Sequence, residues 1–141
     1  MVRSKAAHCF DPPKGLKLEL DVTNRRRPWT LLEPLRYTHG AIDLTVPAGF
    51  QCDLTSIPSW LWSIPGYSIV GRHVRAGLVH DFLYWTQDED RDFADWAFKA
   101  IMRNDGVPFV RCWVMYLAVR LFGQRAWDAN AIEADQRRNS T

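Results

Sequence analysis

A histidine and two carboxylates are the residues in this chain best suited to chemistry. His80 is followed directly by Asp81, and Asp95 comes fifteen residues later. An imidazole that donates one N–H to a carboxylate has its tautomer fixed, and its basic lone pair then sits on the other ring nitrogen. That pairing is the base-plus-orienter half of a hydrolytic site. Gln87 to Asp90 reads as a tight polar turn between two helical segments, Arg72 to Trp85 and Arg91 to Asn104. In an antiparallel hairpin, positions equally distant from the turn lie opposite each other, so position 80 faces about position 95. Both residues then sit among apolar neighbours, where an unpaired polar group costs several kcal/mol, so pairing is expected. Asp81 points roughly 100° further round its helix and is suited to bind a cation beside the reacting centre. Tyr84 lies one turn after His80, and its hydroxyl can bond a carboxylate.

The same residues also fit a purely structural part. A His–Asp–Tyr network between helices can lock their register without any chemistry. Asp95 can equally pair with Lys99 at i+4. His73 precedes His80 by a heptad, roughly 10 Å along the axis, too far to share a metal. His8 and His39 read as incidental.

A second cluster runs from Gly49 through Asp53, Thr55 and Ser56 to Pro58. Asp53 or Ser56 can cap a helix. Alternatively, Asp53 faces the His80–Asp81 helix and completes a metal site. Ca²⁺ would take oxygens from Asp53 and Asp81, whereas Zn²⁺ would take His80 with two carboxylates. A third feature, Trp60-Leu61-Trp62, either offers a surface to a lipid or a phage structural protein or packs over the helices.

These residues need elements to position them. Leu16, Leu18, Leu20 and Val22 alternate with charged residues, the signature of a half-buried strand. Trp29 to Tyr37 reads as a second strand, an edge because of Pro34. Ile42, Leu44 and Val46 mark a third. The expectation is a small antiparallel meander followed by a buried three-helix unit containing the helical hairpin, an α+β fold. Gly106 ends the second helix, Pro108 suits the first turn of a third, and Gly123 stands at its C-cap position. Residues 1–13 read as an N-terminal arm, 14–125 as one domain and 126–141 as a polar tail with a frayed helix.

Bulk composition narrows the function classes. With 47% apolar and 24% charged residues in 141, a core can form. A net charge of +2 is too weak to point to nucleic acid, and aromatics do not alternate with bases as on a single-strand platform. Cys9, Cys52 and Cys112 contain no C-x-x-C pair, which excludes a zinc knuckle and favours reduced, mostly buried thiols. The first residues lack the apolar region of a secretory signal. The longest apolar stretch, Val107 to Phe122, contains Arg111 and Arg120 and reads as a buried helix rather than a span.

Two resemblances add to this. Val46-Pro47-Ala48-Gly49-Phe50, Asp53-Leu54-Thr55-Ser56-Ile57-Pro58, His80-Asp81-Phe82-Leu83-Tyr84, Ala94-Asp95 and Met102 occur in an order that resembles a family of small phage and prophage proteins of unknown function. That resemblance implies action in a phage particle or a host cytoplasm. More locally, His80-Asp81-x-x-Tyr84 with Asp95 on the next helix looks like the phospholipase A2 core. The likeness implies His80 as general base, Asp81 as a Ca²⁺ ligand, Asp95 as orienter and Tyr84 in support. The chain departs from that family in its scattered Gly49, Gly66 and Gly71 and in having no plausible disulfides. Two functions follow as expectations: a lipid-ester hydrolase, or a non-catalytic virion or tail-associated component whose polar network fixes the helices.

Overall fold

The structure, a computed structural model, describes residues 7–54, 59–65 and 71–141. The architecture is α+β, and the described residues form two small antiparallel sheets and four α-helices. The chain divides into two compact units, Met1–Asp53 and Leu54–Thr141.

The first unit holds six strands: β1 (Cys9–Asp11), β2 (Leu18–Leu20), β3 (Trp29–Leu31), β4 (Leu35–His39), β5 (Ile42–Val46) and β6 (Gln51–Cys52). They form two sheets, ordered β1-β4-β5 and β2-β3-β6, instead of one meander. Pro34 explains the division. It has no N–H to give to a ladder, so the segment expected as one strand breaks into β3 and β4, and each joins a different sheet. β1 falls in the stretch read as an arm. It pairs with β4, and Phe10 stacks on Tyr37 at 4.9 Å between ring centroids. Three residues are too short a run for alternation to reveal.

Period-two alternation is clear in β4, where Leu35, Tyr37 and His39 are buried and Arg36 is exposed. His39 pairs with Ile42, which leaves a two-residue loop. Its first residue, Gly40, has φ +59°, a conformation that carries no steric cost without a Cβ. Arg36 crosses to Asp43 on β5 with two hydrogen bonds, Nε–Oδ1 at 2.9 Å and Nη2–Oδ2 at 2.6 Å.

The second unit begins with a 3-10 helix, Ser59–Ser63, and continues with α1 (Val74–Thr86), α2 (Arg91–Asn104), α3 (Phe109–Phe122) and α4 (Gln124–Asn139). α1 packs against α2 and α4, and α2 also packs against α3. The boundaries have local causes. α1 stops at Gln87, which takes φ +53° and donates its N–H to Leu83 O at 3.0 Å. α2 starts because the Asp90 carboxylate accepts the Phe93 N–H at 2.7 Å. Gly106 at φ +87° ends α2.

A frayed polar tail is expected after residue 125, yet α4 is a sixteen-residue helix. Its anchors are tertiary. Trp127 meets Tyr84 edge-on at 5.0 Å, Gln87 Nε2 donates to Trp127 O at 2.8 Å, and the Arg137 guanidinium donates to Trp85 O while lying over the Trp85 ring. Most helical stability comes from such packing and not from local preference. Cys52 and Cys112 are buried and Cys9 is exposed. Among the described residues no helix is long and apolar enough to cross a membrane.

Candidate functional site

α1 and α2 form the expected hairpin, and it brings His80 and Asp95 together. His80 Nε2 donates to Asp95 Oδ1 at 2.7 Å. The Tyr84 hydroxyl donates to the same oxygen at 2.8 Å. One turn separates His80 from Tyr84 on α1, so both reach one carboxylate oxygen, and their rings lie 4.2 Å apart. His80 is 2% exposed and Asp95 is fully buried. Phe98, one turn beyond Asp95 on α2, packs its ring 4.9 Å from the imidazole.

Asp95 is held by more than these two donors. Its other oxygen, Oδ2, accepts from Arg120 Nη1 at 2.8 Å, from the far end of α3. The Arg91 guanidinium, one turn before Asp95 on α2, stands with Nε 3.7 Å from Oδ2. Arg91 also donates to the Tyr84 hydroxyl at 3.2 Å and, through Nη2, to the Val119 and Arg120 carbonyls at 2.8 and 2.7 Å. Those carbonyls belong to the last turn of α3, where a helix leaves acceptors unmatched and favours positive charge. Lys99 takes no part in this network. It sits over the Trp113 and Tyr116 rings at 4.3 and 4.5 Å from their centroids, where cation–π attraction holds it.

Gly123 makes room for this assembly. A Cβ there would fall 2.7 Å from the Tyr84 hydroxyl oxygen and 2.3 Å from the Val119 carbonyl oxygen. Its φ is −78°, so what the position requires is close approach and not a left-handed backbone.

The charges shift as this geometry dictates. Burial pulls the His80 imidazole down, but hydrogen bonding and charge from Asp81 and Asp95 outweigh it and raise the pKa above its usual value. Burial pushes Asp95 up, yet His80, Tyr84 and Arg120 together hold it below the ordinary carboxylate value. Tyr84 is raised by burial and by the adjacent Asp95 charge and stays a donor.

Asp81 lies on the Nδ1 side of the ring. Its Oδ1 is 4.0 Å from His80 Nδ1, longer than a direct hydrogen bond. Its Oδ2 accepts the Leu54 N–H at 3.2 Å. Leu54 takes φ +59° to present that N–H, a conformation costing a leucine about 1–2 kcal/mol. Asp53 is an exposed residue at the end of the first unit. Thr55, Ser56, Ile57, Pro58 and Gly66 lie outside the described residues. Ca²⁺ takes six to eight oxygens as a rule, and among the described residues no three His, Cys, Asp or Glu side chains gather to hold a metal ion. Trp60 is 58% exposed, whereas Leu61 is 1% exposed and belongs to the core. The Trp62 side chain lies outside the described residues.

Sequence reasoning missed three participants. Arg120 interrupts the longest apolar stretch of the chain, and a cation in such a helix demands an acid; that was the available signal. Arg91 stands four residues before Asp95, a spacing that brings side chains together on a helix. Gly123 carried no signal beyond helix capping.

Comparison with known proteins adds a family and no activity. Over 78 residues the chain is 35% identical to the uncharacterized protein y4jT of Sinorhizobium fredii, a stretch that is 55% of this chain and 23% of that protein. The match therefore spans about a quarter of that relative's length. No solved structure matches the chain significantly. Residues 29–119, which include His80, Asp81, Tyr84, Asp95 and the start of the second sheet's β3, match a family profile, and the chain belongs to that family, described as a protein of unknown function (DUF1353).

Proposed function

We propose that this protein is a hydrolase in which His80 is the general base and Asp95 its orienter, with lipid esters as the substrate class. The observation that carries the reading is the 2.7 Å bond from His80 Nε2 to an Asp95 carboxylate that Tyr84 and Arg120 already hold in place. This bond selects the tautomer whose basic lone pair is on Nδ1, toward Asp81. The 4.0 Å between Nδ1 and Asp81 Oδ1 is a distance one water can bridge.

In the reaction, Nδ1 takes a proton from that water as its oxygen bonds to the ester carbonyl carbon. When the tetrahedral species collapses, the carbon–oxygen bond to the leaving alcohol breaks, and the imidazolium returns the proton to the leaving oxygen. Asp95 stays ionised throughout and stabilises the imidazolium. Tyr84 and Arg120 are positioning residues, since they act through Asp95. Ca²⁺ binding through Asp81 belongs to the same proposal, as does action in a phage particle or host cytoplasm. No step above runs through the ion.

The test is hydrolysis of a short-chain phospholipid by the full chain, with and without added Ca²⁺, for wild type and His80→Gln. Activity in the wild type that the variant lacks, with the circular dichroism spectrum of the folded chain retained, supports the reading. Equal background in both proteins overturns it.

The burial of His80 and Asp95 favours a second reading. Here the network only locks α1, α2 and α3 in register, and the protein is a non-catalytic virion or tail-associated component. Thermal stability that depends strongly on Asp95, in a protein with no activity to lose, is its signature.

A further inference from the structure

The helix α3 is expected to be buried, as the longest apolar stretch of the chain, but only one side of it is. Cys112, Met115, Ala118 and Val119 face the interior. On the opposite side Val110, Trp113, Leu117 and Leu121 are 69%, 39%, 50% and 73% exposed, with Phe109 at 58%. At about 100° per residue these five cover roughly a third of the helix circumference. Contiguous apolar surface on this scale marks a contact site. Exposures of this size belong to side chains that stand out from a surface, not to the lining of a groove.

The border of this face is mainly cationic. α3 carries Arg111 and Arg120 and no acid. Along one flank, Lys99 lies over Trp113 and Tyr116, and Arg103 lies over Phe109 at 5.0 Å. Arg111 is exposed on the other flank. Of the nearby acids, Asp105 is drawn off by Arg75, and the exposed Asp92 pairs with Arg120, which leaves Lys99, Arg103 and Arg111 as the excess charge of the border. A second copy of the chain would bring this cationic border against itself. An anionic lipid surface matches both features, with apolar and aromatic side chains entering the acyl boundary and Lys and Arg meeting the head groups.

We propose that the outer face of α3 docks on anionic lipid surfaces. This holds whether or not His80 is catalytic, and the test leaves intact Arg120, which holds Asp95.

The test is co-sedimentation of the full chain with vesicles of phosphatidylcholine alone or with about a third phosphatidylglycerol, together with sedimentation velocity of the protein without lipid. The expected result is binding to the anionic vesicles only, weakened as salt rises from about 0.05 to about 0.5 M. The double variant Leu117→Asp/Leu121→Asp is expected to lose binding by about tenfold or more, and Lys99→Gln/Arg103→Gln to lose it by severalfold. Because Leu117 and Leu121 are exposed, circular dichroism and melting temperature should be unchanged in the first variant. Binding that both variants retain overturns the proposal. A dimer that Leu117→Asp/Leu121→Asp converts to a monomer also overturns it, in favour of an interface between copies. A monomer that binds neither vesicle overturns it, in favour of a protein partner.

Discussion

Arg120, near the end of α3, holds the carboxylate of Asp95 in the middle of α2, with Nη1 2.8 Å from Oδ2. The bond ties a third helix to the histidine hairpin and puts a fixed positive charge on the side of Asp95 opposite His80. It also separates two roles that the site residues combine. His80 and Asp95 can do chemistry only if Asp95 stays ionised, and His80 itself, Tyr84 and Arg120 hold it so even when buried.

Asp95→Asn removes a buried charge and leaves Arg120, Arg91 and any imidazolium without their counterion. Breaking one side of a buried pair costs about 3–5 kcal/mol. A lowered midpoint in urea unfolding with an unchanged slope is the expected outcome. A loss below about 1 kcal/mol would show that the network contributes little to the fold.

Stability should form a plateau in pH bounded by the two partners. The folded pKa of His80 is raised above 6.5, so its contribution is fully present below the unfolded value and is lost as pH rises through the folded one. The pKa of Asp95 is lowered, so its contribution is present above 3.8 and is lost as pH falls through the folded value. Melting temperatures measured across this range should fall at both ends. In His80→Gln the alkaline fall should flatten while the acid fall remains.

Activity has the opposite dependence on His80. A general base must be neutral, so any hydrolysis should rise with pH to a midpoint above 6.5, over the interval in which the histidine's contribution to stability is being lost. A rate that is flat across that interval would mean that His80 is not the base.

Gly123→Ala tests the packing of the network without changing any charge. The added methyl collides with the Tyr84 hydroxyl and with backbone, and overpacking of this kind costs about 1–3 kcal/mol. Adding Tyr84→Phe should recover part of the loss, because the hydroxyl is one of the two clashing groups. Unfolding curves for the two single variants and the double variant measure this recovery.

Asp90→Ala tests a local device. Its carboxylate satisfies the Phe93 N–H at the start of α2, and removing such a cap costs about 1 kcal/mol. Because Asp90 makes no bond to His80 or Asp95, the pH plateau should keep its shape while the whole curve shifts down.

The sequence by itself determined the α+β class, the hairpin and the meeting of His80 with Asp95. These depend on short-range rules: alternation along Ile42, Leu44 and Val46 of β5, a polar turn at residues 87–90, and the equal spacing of positions 80 and 95 from that turn. The tertiary structure decided what those rules do not reach. Pro34 divides one expected strand between two sheets, because pairing partners are chosen across the chain. The polar tail becomes α4, because Trp127 and Arg137 find α1. The apolar helix α3 buries one side only, because α2 and α4 cover no more than that. Most consequentially, Arg120 lies twenty-five residues beyond Asp95 on another helix. An apolar stretch can announce that a buried arginine needs an acid, but only packing selects which one, since the cost of leaving either charge unpaired is paid in three dimensions.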